Sequence, residues 1–149
     1  MNIIELLARE EGFSKTAYCC TAGYPTIGIG WKIGRHNQSL NDFETMVISR
    51  PAAEAQLQNE VFAIELALSK HNWFADLNEP RQAVITSMAY QMGINGLMKF
   101  KRMIAAIKIG DWEDAAHEGL DSRWAAQTPE RAARQMKTLL CGDWSWYEV

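Results

Sequence analysis

A mostly helical α+β fold is predicted by three features of this sequence. One stretch, TAYCCTAGYPTIGIG at residues 16–30, mixes aromatic, β-branched and glycine residues around a Gly-Tyr-Pro turn and reads as a β-hairpin. From residue 49 onward the apolar residues instead recur at helical spacing, between capping residues and glycines. With 48% apolar residues among 149, the chain can bury one compact domain or two small lobes. The expected plan is a small N-terminal helix-plus-hairpin lobe at about 12–50, a long connecting helix at about 50–70, and a larger all-helical lobe at about 71–149 on which helix 1–11 packs.

The elements follow in order. Asn2 and Glu5 have capping-box spacing, and Ile3, Ile4, Leu6 and Leu7 supply an apolar stripe that stops before Gly12, so residues 3–11 form a helix with Glu11 in its last turn. Strands Ala17–Cys20 and Thr26–Ile29 flank the turn. Gly28 and Gly30 leave one face of the second strand bare, which a ligand or a neighbouring backbone can approach closely. A weaker helix is expected over Leu40–Ile48. Ser49 then caps a run of about 20 residues with Pro51 in its first turn, a helix of roughly 30 Å. Asn78 with Pro80 opens a helix that Gly93 closes; Leu97–Ile109 follows, stopped by Gly110. Asp111 caps Trp112–Leu120, and Thr128 with Pro129 opens the last helix, which ends near Cys141-Gly142. The tail DWSWYEV is expected to dock its rings on the helical body.

Composition excludes several functions. With 15 basic and 18 acidic residues the net charge is −3, and nothing suggests a nucleic-acid binder. Residues 97–137 carry 8 basic against 6 acidic residues, enough to face an anionic polymer. No apolar run nears the roughly 20 residues that span a bilayer, and MNIIELLAREEG lacks a basic leader and a cleavable apolar core. A protein synthesised in the cytosol, not inserted in membranes, is expected. Cys19, Cys20 and Cys141 are too few for a disulfide framework, and a bridge between the neighbours Cys19 and Cys20 would be strained. Together with His36 they lack zinc-ligand spacing, so neither metal nor cofactor is expected.

Three places are candidates for chemistry. Glu11 faces the negative end of its helix dipole, which disfavours the charged carboxylate and suits it to hold a proton, as a general acid must. Arg131 sits in the first turn of a helix, where a cation is mildly unfavourable and a partner from elsewhere is implied. Cys20 shares a strand face with Tyr18, and the hairpin returns Thr26 beside that strand, so a thiol and a hydroxyl can meet near the end of the Glu11 helix.

These residues also carry a resemblance. EGFSKTAYCCTAGYPTIGIG at 11–30 resembles the phage-type lysozymes, the endolysin muramidases of tailed phages, whose signature is Glu, eight residues, Asp or Cys, five residues, Thr; here Glu11, Cys20 and Thr26. The resemblance continues through MAYQMGINGLMKF (88–100), GDWEDAAHEGLDSRWAAQTPERA (110–132) and the closing GDW, nearly the whole chain, with a shortened region near 31–48. It implies a lysozyme-like fold of two lobes and hydrolysis of the β-1,4 bond between N-acetylmuramic acid and N-acetylglucosamine in peptidoglycan. Glu11 would protonate the leaving oxygen, Cys20 with Thr26 would hold or activate water, Arg131 would pair with the glutamate, and Tyr90 and Gln91 would line the cleft. The partner is then the peptidoglycan glycan strand. The resemblance further implies a monomer that needs a phage holin to open the inner membrane so that it passes from the host cytoplasm to the wall in the periplasm, without direct contact with the holin.

The sequence departs from the family pattern at Cys20, where many members have aspartate, at Met103 and Glu118, where small polar residues are common, and at Trp31 in place of a frequent histidine. Two rival readings follow from the thiol. In one, Cys20 is the nucleophile and His36 the base of a peptidoglycan amidase or endopeptidase. In the other, the chain binds glycan without turning it over. The first requires a thiol usually activated at a helix N-terminus, whereas Cys20 is expected in a strand.

Overall fold

A computed structural model describes residues Met1–Glu148. The architecture is α+β, mostly α: α1 (Ile3–Glu11), β1 (Ser14–Cys19), β2 (Pro25–Gly28), β3 (Trp31–Lys32), a 3-10 turn (Leu40–Phe43), α2 (Arg50–Leu68), α3 (Asn72–Ala75), α4 (Glu79–Met98), α5 (Lys101–Lys108), α6 (Trp112–Leu120), α7 (Arg123–Gln127) and α8 (Pro129–Cys141). The chain divides into two compact units, one comprising Leu7–Glu60 and the other Met1–Leu6 with Val61–Val149, so the boundary falls inside α1 and inside α2.

In the smaller unit three strands form an antiparallel sheet in the order β1-β2-β3. Tyr18 pairs with Thr26, and Thr26 with Lys32. Between Ser14 and Tyr18 the register shifts, because Ser14 pairs with Gly28 and two extra residues of β1 bulge out. Pro25 to Ile29 are all buried. The bare strand face expected from the glycines is filled by this protein's own side chains: a Cβ at Gly28 would meet the Ala53 Cβ of α2 at 3.2 Å.

Helix starts follow their capping residues. Asn2 Oδ1 accepts from the Glu5 amide at 3.0 Å while Glu5 Oε2 accepts from the Asn2 amide at 3.0 Å, a reciprocal capping box. Ser49 Oγ accepts from the Ala52 amide, Asn78 Oδ1 from Arg81 and Asp111 Oδ1 from Asp114, each three residues on. α8 ends where Gly142 turns left-handed.

Four expectations are corrected. Gly93, with φ 80° and ψ 159°, does not close α4 but breaks it, and the helix resumes to Met98; only glycine adopts that backbone without strain. The helix predicted from Leu97 begins at Lys101. The segment 40–48 holds only the short 3-10 turn and a bridge from Val47 to Thr16. β1 runs from Ser14 to Cys19 rather than from Ala17 to Cys20.

The helical unit has a continuous apolar core built from α2 through α8, with Phe74, Ile85, Met88, Leu97, Trp124 and Leu139 among its members. In the tail, Tyr147 is buried and lies edge-on to Trp144, and Lys137 of α8 sits 4.2 Å above the Trp146 ring. Val149, the last residue of that tail, lies outside the described residues.

Candidate active site

Glu11 is the last residue of α1 and is half-buried. Its carboxylate rests on the turn between β2 and β3: a Cβ at Gly30 would stand 2.7 Å from Glu11 Oε2, and Gly30 has φ +67°. Residue 30 is therefore glycine on two counts, backbone conformation and lack of room. Helix α1 delivers the carboxyl, and a backbone without a side chain receives it.

Cys20 stands just past the end of β1, where the chain turns: its amide donates to Tyr24 O at 3.0 Å, and the Gly23 amide donates to Cys20 O at 2.9 Å. Burial by itself would push the Cys20 thiol up. Hydrogen bonds onto the sulfur from the Tyr24 backbone, the Thr26 side chain and the Ala22 backbone, with the charge of Lys32, outweigh that effect, so the thiol ionises below its usual value. Thr26 lies in β2, is 2% exposed, and donates Oγ1–H to Tyr24 O at 2.8 Å. The hairpin thus brings Cys20 and Thr26 together.

Tyr18 belongs to the same cluster, a role that sequence reasoning did not assign it. It pairs with Thr26 across the sheet. Burial raises its phenol above the usual range, and the negative charges of Glu11 and then Cys20 push the same way. A neutral phenol, able to donate a hydrogen bond, therefore lies within the electrostatic reach of both groups. His36, base of the rival reading, packs edge-on against the Tyr24 ring at 5.2 Å between centroids.

Arg131, Gln91 and Tyr90 belong to the helical unit. Arg131, in the first turn of α8, is 8% exposed and donates from Nη2 to Ser87 Oγ of α4 at 3.0 Å. Gln135, one turn further along α8, donates from Nε2 to the same oxygen at 2.7 Å. Gln91 lies one turn beyond Ser87 on α4, and its Oε1 accepts from the Trp124 indole at 2.8 Å. Tyr90 precedes it and is half-buried. Ser87 and Trp124 escaped the sequence reading; the polar pair Thr86-Ser87 set between Ile85 and Met88 was the available signal, and both prove buried. Met103 is buried, and with Glu118, Phe100 and Trp124 it lines a depression of about 450 Å³. Trp31 pairs with Ile27 in the sheet.

Among the described residues no group of three or more His, Cys, Asp or Glu side chains is disposed to hold a metal, and no helix is long and apolar enough to cross a membrane. All three thiols are free.

Residues 8–140 match the family described as Phage lysozyme. Among relatives, the chain is 32% identical to the pre-baseplate central spike protein Gp5 of Enterobacteria phage T4, matched over 100% of this chain but only 29% of that protein's length. It is 27% identical to probable T4-type lysozyme 1 of Dictyostelium discoideum, over 99% of this chain and 98% of the relative. With the peptidoglycan hydrolase gp36 of Pseudomonas phage phiKMV the identity is 26%, over 89% of this chain and 14% of that protein. The carboxyl, thiol and hydroxyl gathered in the sheet unit thus lie within a match that runs through nearly all of the chain, which belongs to the phage lysozyme family.

Proposed function

We propose that this chain is a peptidoglycan-degrading lysozyme, a glycoside hydrolase that cleaves the β-1,4 bond between N-acetylmuramic acid and N-acetylglucosamine. Family membership and relatives named as lysozymes and as a peptidoglycan hydrolase support the broader part of this reading. The observation that carries the finer part is the clustering in one small unit of Glu11, seated against Gly30, with Tyr18, Cys20 and Thr26.

Glycoside hydrolysis needs a proton donor for the leaving oxygen and a second group that stabilises the oxocarbenium-like transition state or activates water. Glu11 is the donor in this scheme. Cys20 and Thr26 serve the second role, the sulfur as a negative charge and the hydroxyl as an orienting partner. Arg131, Gln91 and Tyr90 are the supporting residues of this scheme; hydrogen bonds to Ser87 and Trp124 orient Arg131 and Gln91 within the helical unit. The enzyme would act for a phage in host lysis, on peptidoglycan in the periplasm, once a holin opens the inner membrane.

The test is mass spectrometry of the products released from purified peptidoglycan. Muropeptides ending in reducing N-acetylmuramic acid are expected. Free stem peptides with new amines would replace this reading by an amidase or endopeptidase, and retention on the polymer without products would replace it by a binding module.

A further inference from the structure

The sheet of the smaller unit carries an arrangement that the hydrolytic scheme leaves unexplained. Thr26 pairs with Tyr18 on one side and with Lys32 on the other. Residues directly opposite in antiparallel strands project from the same face, so one rung presents a phenol, a hydroxyl and an ammonium side by side. Cys20 follows Tyr18 by two residues, where the chain turns back through Tyr24. The Lys32 ammonium reaches over the Tyr24 ring, with Nζ 4.6 Å from its centroid. It thereby stands over the residue whose backbone reaches the Cys20 sulfur.

We propose that Lys32 is a positioning residue, the counter-ion of a Cys20 thiolate, and that with the amides of Ala22 and Tyr24 and the Thr26 hydroxyl it forms a cradle that favours the anionic sulfur. The catalytic meaning of this proposal rests on the lysozyme reading above; its test does not.

An ordinary thiol, with a pKa of about 8.5, is mostly neutral at pH 7 and is a poor partner for a developing cation. Backbone amides converging on one atom from a tight turn make an anion-binding concavity, and hydrogen bonds to an ionised acceptor are roughly twice as strong as neutral ones. Thr26 adds a switch. Its single proton has two acceptors in reach, Tyr24 O at 2.8 Å and the Cys20 sulfur, and ionisation of the sulfur draws the proton to it. The other titratable groups of this unit that bear on the sulfur are Tyr18, which stays neutral, Glu11, which acts on Tyr18, and His36, which lies against Tyr24. Lys32 is the cation of the cluster; being exposed, it acts through a field that salt screens.

The experiment is the pH dependence of iodoacetamide alkylation of Cys20, read by intact-protein mass spectrometry in a Cys19→Ser, Cys141→Ser background without peptidoglycan. The midpoint is expected below that of an ordinary thiol. Lys32→Met should raise it and slow alkylation at pH 7 by about two- to fivefold, the range an exposed pair provides, and Lys32→Arg should restore it. Raising the salt concentration on the chain that keeps Lys32 should move the midpoint the same way, a reading that needs no variant at Lys32. An ordinary midpoint in the parent, or one indifferent to Lys32→Met and to salt, overturns the proposal. The product analysis above independently reports whether the lysozyme reading fails.

Discussion

The two units of this protein hold their polar groups by opposite means. In the helical unit, Arg131 and Gln135 converge on Ser87, and Trp124 on Gln91, through side-chain bonds that join residues 33 to 48 positions apart. In the sheet unit the candidate groups sit at the ends of elements: Glu11 closes α1 with its carboxylate close against Gly30, and Cys20 follows β1 in a turn whose backbone reaches its sulfur. The first arrangement fixes charge by burial. The second leaves a carboxyl and a thiol half-exposed to solvent. In the proposed scheme the chemistry belongs to the smaller, less apolar unit.

Substitutions can break this contrast, beginning with the sheet unit. Glu11→Gln removes the proposed proton donor while keeping its shape, and should cost about 10²–10⁴-fold in the rate of reducing-end release, with an unchanged melting temperature. Gly30→Ala places a methyl 2.7 Å from Glu11 Oε2 at a residue with positive φ. Displacing the carboxyl by about an ångström should cost on the order of 10²-fold in kcat, measured on the same substrate. Cys20→Ala should lose most of the activity, and full activity in that variant would remove the thiol from the mechanism. In the helical unit the loss should fall on stability instead: Ser87→Ala strips the acceptor from two buried donors and should cost about 1–3 kcal/mol in urea unfolding.

Local chemistry made much of this readable in the sequence. Asn2 with Glu5, Ser49 with Pro51, and Asp111 each mark a helix start where the structure begins one, because capping depends on three or four adjacent residues; at α8 the start follows Pro129, and Thr128 makes no side-chain cap. Short elements were hidden. β3 has two residues, α3 four and α7 five, too few for any hydrophobic period. Gly93 was visible as a breaker, but whether a helix resumes beyond it depends on packing of Leu97 into the core. At the site, the spacing of Glu11, Cys20 and Thr26 was readable because one helix end and one hairpin place all three. Tyr18 could be placed on the Cys20 face, but its pairing with Thr26 and the arrival of Lys32 on the other side could not, since both depend on sheet register and on a bulge in β1 that no local signal marks.

The central claim, that Cys20 supplies an anionic group to a glycan-cleaving site, is tested most directly by the pH–rate profile of reducing-end release for the parent chain and for Cys20→Asp. The thiol ionises below its usual value, so the thiolate is present above its midpoint and is lost as pH falls through it. A carboxylate at the same place remains ionised down to about pH 4. The account predicts that Cys20→Asp stays active and that its acid limb lies at lower pH than the parent's. Superimposed acid limbs, or an inactive aspartate variant that folds normally, would contradict it.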